Sequence, residues 1–232
     1  MYCARPSLLY DLRHKQSDRH QRLAGQATPG AVFKRGFMLH PNAELRYSGP
    51  EVGSGVYATA FIPKGTITWV QDPLDQVIDL NSNPEYRDYP PVLERYSFRN
   101  RDGHYVLCWD YARFVNHHCE ANCLSPGLDF EIAIRDIEEG EEITNDYGSL
   151  NLEFEMTCLC QSPRCRRCTK PEDFDRLADV WDKHLQQAFP HIARVDQPLW
   201  AYLSDRALVE ACLKDNRLVP SIRNHLYKPV SV

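Results

Sequence analysis

Three thiols fall within eight residues at Cys158-Leu159-Cys160-Gln161-Ser162-Pro163-Arg164-Cys165. Thiolates at this CxCx4C spacing can share one tetrahedral zinc, at metal–sulfur distances of about 2.3 Å. The fourth ligand must come from elsewhere. Cys168 is local, Cys119 lies in a distant segment, and spacing alone does not choose between them. With four protein ligands no position stays open for water, so the metal is expected to be structural and not hydrolytic. The odd total of nine cysteines, four of them within 158–168, fits metal ligation in a reducing compartment better than a disulfide framework.

Three further clusters carry chemistry. Arg113-Phe114-Val115-Asn116-His117-His118-Cys119-Glu120-Ala121-Asn122-Cys123 is a polar knot that, alone, suits a second metal site or a Cys/His nucleophile pair. Glu139-Gly140-Glu141-Glu142-Ile143-Thr144-Asn145-Asp146-Tyr147-Gly148 reads as a turn feeding a short strand that ends on a tyrosine. A tyrosine so placed ordinarily packs with its hydroxyl satisfied. In Gly53-Ser54-Gly55-Val56-Tyr57-Ala58 the closely spaced glycines let a ligand approach the backbone.

Taken in order, GxGVYA, RFVNHHCEAN, GEEITNDYG and CxCx4C resemble the SET-domain protein-lysine methyltransferases in motif identity, order and spacing over roughly residues 36–168. The resemblance implies a mainly β SET fold, with several small curved sheets and a pseudoknot-like core, followed by an α-helical C-terminal extension. It implies a protein-lysine N-methyltransferase that uses S-adenosyl-L-methionine as methyl donor and a structural zinc ion in a post-SET clip. Residue by residue, it assigns the cofactor cradle to Gly53, Gly55, Val56, Tyr57, Asn116 and His117, and the catalytic tyrosine to Tyr147. It assigns the zinc to Cys119, Cys158, Cys160 and Cys165, with Cys168 as the alternative fourth ligand. Three positions depart from the family's pattern. His118 replaces a serine, Ala121 replaces a proline, which loosens the loop, and Asn145 replaces the Phe or Tyr associated with how many methyl groups are added.

The elements that must position these residues can be read from pattern. Short β-like runs at Val56–Ile62, Thr66–Val70, Tyr105–Asp110, Phe130–Ile137 and Glu142–Tyr147 alternate with turn signals. An insert over about 72–104 is expected to hold one short helix, Pro91–Phe98. Phe174, Leu177, Trp181, Leu185 and Ala188 recur at helical spacing after a capping-box start at Thr169-Lys170-Pro171-Glu172. A second helical stretch is expected within Pro198–Lys214. The domain reading is a flexible basic arm over 1–35, a SET domain over 36–150, a zinc clip over 151–168 and a helical extension over 169–232.

The 232 residues carry a formal charge of -5, which divides into about +5 over residues 1–35 and about -10 over the rest. An acidic body argues against nucleic-acid binding, which depends on neutralising phosphates, and favours a basic protein tail as partner. No apolar run reaches membrane-spanning length and no Sec-type signal follows Met1, so an intracellular location is expected. An apolar stripe on the C-terminal helices would suit a homodimer. For methyl transfer the site must present a neutral amine, although a free lysine, with pKa about 10.4, is charged at pH 7. A narrow apolar channel beside a sulfonium would lower that pKa by desolvation and repulsion. Tyr96, Tyr105, Tyr111 and Phe114 are candidate channel aromatics. Two other readings stand beside the enzyme: a catalytically silent zinc interaction module, and a methyltransferase acting on a small molecule or a non-lysine group.

Overall fold

The computed structural model describes residues 38–228, so the basic arm expected over 1–35 lies outside the described residues. The first element is an antiparallel hairpin of β1 (Ala43–Gly49) and β2 (Gly53–Ala58), with Arg46 opposite Gly55. Its turn requires φ of +88° at Gly53, which glycine adopts without a Cβ clash. β3 (Ile67–Val70) is buried at every position, as a strand covered on both faces must be. The insert forms its own antiparallel sheet from β4 (Gln76–Ile78), β5 (Ser97–Arg99) and β6 (Tyr105–Leu107), with β6 central. Its helix, α1, covers Pro90–Tyr96 with proline in the first turn, and the chain turns extended at Ser97. Phe98 therefore sits opposite Val106 in the sheet and not in the expected helix.

The main sheet is completed by β7 (Asn116–His117), β8 (Cys123–Leu124), β9 (Phe130–Ala133) and β10 (Glu142–Asn145). Its order is β1-β2-β10-β8-β9-β3, with β7 also paired to β10. Asn145 pairs in parallel with His117 on one side and Cys123 on the other. Residues 118–122, which join β7 to β8, must therefore cross β10 from edge to edge. Such threading is rare among folds, and it realises the pseudoknot-like core. Asn122, fully buried, secures the crossing: its Oδ1 accepts the Thr144 N–H at 2.8 Å and its Nδ2 donates to the Glu142 carbonyl at 2.8 Å.

β11 (Met156–Thr157) and β12 (Cys168–Thr169) pair antiparallel and bracket the cysteine run. α2 (Asp173–Ala188) follows, burying Phe174, Trp181 and Leu185 against Ile67, Phe130 and Ile132 of the sheet. The apolar stripe of α2 is thus spent within the chain. A second cluster, including Val56, Ile62, Cys123 and Ile143, packs elsewhere against the sheet. The expected capping box does not form, because the N-cap Glu172 makes no side-chain cap bond and the Thr169 hydroxyl is engaged with His117. In the second helical stretch a short turn, Trp200–Tyr202, precedes α3 (Arg206–Lys214). Mainly small β-sheets with C-terminal helices is the architecture anticipated from sequence.

Replacing Asn122 by alanine strips a buried N–H and a half-buried carbonyl of their partners. Urea denaturation should show a loss of roughly 2–4 kcal/mol. A loss under about 1 kcal/mol would mean that the crossing does not depend on this side chain.

Candidate active site and metal centre

The crossing segment and the end of β10 meet at one corner. The Tyr147 hydroxyl donates to the Val115 carbonyl at 2.7 Å, and its backbone N–H donates to His117 Nδ1 at 3.1 Å. The His117 proton therefore resides on Nε2, which faces Thr169 Oγ1 at 3.2 Å and Cys119 Sγ at 3.5 Å. Burial holds His117 neutral, lowering its pKa to about 4 against the opposing pull of Asp146. Asn116 Nδ2 donates to the Ser54 carbonyl at 3.1 Å and to Glu142 Oε1 at 2.7 Å, tying β2 to the same corner. Gly55 is required here by space, since a Cβ would collide with the Glu142 carboxylate and come within 2.9 Å of Asn116 Nδ2. Burial raises the Tyr147 pKa well above the usual phenol value, and the carboxylates of Glu142 and Glu131 push the same way.

Asp146 lies between the two halves of this arrangement. Its buried carboxylate takes a bidentate pair from Arg166, at 2.6 and 2.7 Å, a bond from Trp181 Nε1 at 3.2 Å and the Gly148 N–H at 3.1 Å. Arg166 also reaches Asp173 at 3.4 Å. One guanidinium thus joins the tyrosine turn, the cysteine run and the start of α2.

The sulfurs of Cys119, Cys158, Cys160 and Cys165 lie within 4.8 Å of one another, and the Cys119–Cys158 separation is 3.6 Å. Tetrahedral zinc with arms of about 2.3 Å sets its sulfurs about 3.8 Å apart, so the four residues fit the ion. Backbone N–H groups of Arg166 and Arg167 point at the Cys119 and Cys165 sulfurs at 3.3 Å. Cys168 is outside the group, with its thiol directed at Glu155 and the Thr169 carbonyl.

A cavity of about 180 Å³ opens beside Tyr147, walled in part by Tyr96, Phe98, Val115, Leu150, Asn145 and Glu131. Of the four aromatics expected to line a channel, Tyr96 does so. Tyr105 instead donates its hydroxyl to Glu153 at 2.7 Å, Phe114 packs edge-on to Tyr96 at 5.7 Å, and Tyr111 is exposed away from the lining.

A family model described as SET domain matches residues 53–148. That segment is a SET domain. It is similar to histone-lysine N-methyltransferase set1 of Dictyostelium discoideum, at 43% identity over 63 residues, 24% of this chain and 4% of that protein. The H3 lysine-4 specific histone-lysine N-methyltransferase of Mycosarcoma maydis is 27% identical over 183 residues, 69% of this chain and 12% of that protein. The chain therefore spans only a small part of the curated relatives it matches. Among solved structures, the methyltransferase domain of human histone-lysine N-methyltransferase SETMAR aligns over 60% of each chain, with 19% identity and a TM-score of 0.41.

Within the SET domain the structure gathers Gly55, Asn116, His117 and Tyr147 into direct or one-residue contact. Gly53 forms the hairpin turn and faces Arg95, where a Cβ would lie 3.0 Å from Nη2. Val56 is fully buried in the core, and the Tyr57 hydroxyl bonds Ser48 Oγ at 2.9 Å, so these two side chains point away from the corner's hydrogen bonds. Sequence reading missed Arg166, Asp146, Trp181 and Glu131. Arg166 sits in a basic loop and carries no signal that it pairs inward; Asp146 lies inside the Glu139–Gly148 motif, where the adjacent Tyr147 is the more conspicuous residue.

Elemental analysis should find one zinc per chain. Cys119→Ser should lower that content several-fold, and Cys168→Ser should leave it unchanged; the reverse pattern would remove Cys119 from the centre.

Proposed function

We propose that the protein is an S-adenosyl-L-methionine-dependent protein-lysine N-methyltransferase acting on a basic protein. The observation that carries this reading is the convergence on Tyr147: its hydroxyl is held by Val115, its backbone by His117, and both are neighbours of Asn116, which reaches β2. A sulfonium donor and a lysine amine are both cations at the outset. The carboxylates Glu142 and Glu131, whose fields reach the Tyr147 hydroxyl, suit such ligands.

S-adenosyl-L-methionine would supply an electrophilic methyl group. Gly53, Gly55, Val56, Tyr57, Asn116 and His117 would form its cradle, through the shape of β2 and the polar edge of β7. Tyr147, its phenol pKa raised by burial, stays protonated at neutral pH. It would orient the amine by its ring and hydroxyl instead of taking a proton. Aromatic walls at Tyr96 and Phe98 exclude water from the lysine stem. Zinc at Cys119, Cys158, Cys160 and Cys165 would act through folding, by locking the crossing segment to the clip.

The acidic body and the histone-lysine methyltransferase relatives together favour a histone-like basic tail as substrate. Among the described residues no helix is long and apolar enough to cross a membrane.

Labelled S-adenosyl-L-methionine incubated with the protein and core histones, or a proteome extract, should yield methyl-lysine by mass spectrometry. Tyr147→Phe should reduce the rate by about 100-fold through misorientation of the amine. Label appearing on a non-lysine group, or a fully active Tyr147→Phe protein, would contradict the proposal.

A further inference from the structure

Glu131 lies on β9 and lines the cavity beside Tyr147, partly exposed to it. The only hydrogen-bond partner of its side chain among the described residues is Asn145 Nδ2. The cavity's own cations are committed elsewhere: Arg99 pairs with Glu153 at 2.6 Å, Arg113 donates to the carbonyls of Trp109 and Asp110, and Arg95 lies over the Tyr96 ring at 5.6 Å. His225, also in the wall, is held neutral by burial. Glu94 and Asp129 reach the cavity too, but both are solvent-exposed. Glu131 is thus an enclosed carboxylate without a countercharge, an arrangement that costs free energy until a cation arrives.

We propose that the Glu131 carboxylate, held in place by Asn145, is the docking group for the substrate's amino nitrogen, which enters the cavity as a primary alkylammonium ion. Apolar walls around one uncompensated carboxylate complement a lysine side chain, four methylenes ending in a point charge. Pairing alone would keep the amine charged and unreactive. Burial, however, raises the carboxyl pKa to about 7, so Glu131 can take the proton: an N–H bond breaks, an O–H bond forms, and the nitrogen keeps its lone pair. The proton then leaves through the cavity mouth to water. Asn145, where relatives of this fold were expected to carry an aromatic ring, acquires a role as the residue that positions Glu131.

This inference deepens the methyltransferase reading and rests on it for its consequence, but docking is measurable without turnover. Saturation-transfer NMR at pH 8, where Glu131 is ionised, would compare n-butylammonium with the isosteric neutral 1-butanol on the full chain. Wild type should bind n-butylammonium at least about tenfold tighter, as a charge-assisted hydrogen bond implies. Glu131→Gln should bind both probes equally, still bind 1-butanol, and melt no lower than wild type, since it removes an unpaired buried charge. Glu94→Gln should keep the preference. Retention of the preference in Glu131→Gln, or its absence in wild type, would overturn the inference. Docking through Glu131 in a protein that transfers no methyl group would defeat only the methyltransferase reading. An active enzyme whose Glu131→Gln variant keeps its preference would defeat only this one.

Discussion

The passage of residues 118–122 across β10 is the constraint on which the site depends. Because Asn145 is paired on both edges, by His117 and Cys123, neither flanking strand can shift without breaking the other's ladder. The corner that holds Asn116, His117 and Tyr147 is therefore set by main-chain pairing, and side chains refine it. Asn122 supplies the missing strand partner for β10 from a side chain, which keeps so short a crossing free of unsatisfied polar groups.

Electrostatics fasten the crossing to the rest of the molecule. Asp146 and Asp173 are nearly fully buried, and the Arg166 guanidinium serves both. A buried pair of this kind contributes little net stability relative to apolar packing, yet removing one partner leaves a stranded charge costing about 3–5 kcal/mol. Its effect here is to specify geometry: the cysteine run can close only where Arg166 meets the tyrosine turn. The cysteine cluster and the ion pair thus act on the same joint from two sides, one through Cys119 and one through Asp146.

Much of this was legible because the signals were local. CxCx4C announces a cysteine cluster by spacing, and the α2 stripe announces a packed helix by period. GxG, NHxC and DYG are individually weak, and their order carried the reading. What stayed hidden depends on contacts between distant positions. Glu131 alternates within an ordinary β9 pattern, and only the fold reveals that it meets Asn145 inside a cavity. Thr169 looked like a helix cap by its neighbours, but His117, 52 residues away in sequence, claims its hydroxyl. Tyr105, Tyr111 and Phe114 were aromatic and nearby in sequence, which does not decide which way a ring faces.

The central claim is spatial: the β2 glycines, the Asn-His pair and the tyrosine converge where a methyl group would be handed over. An isotope-filtered NOE spectrum of the protein with methyl-13C S-adenosyl-L-methionine tests it directly. The account predicts cross-peaks from the sulfonium methyl to the Tyr147 ring. Bound cofactor whose methyl shows contacts only to residues remote from Tyr147 would contradict it.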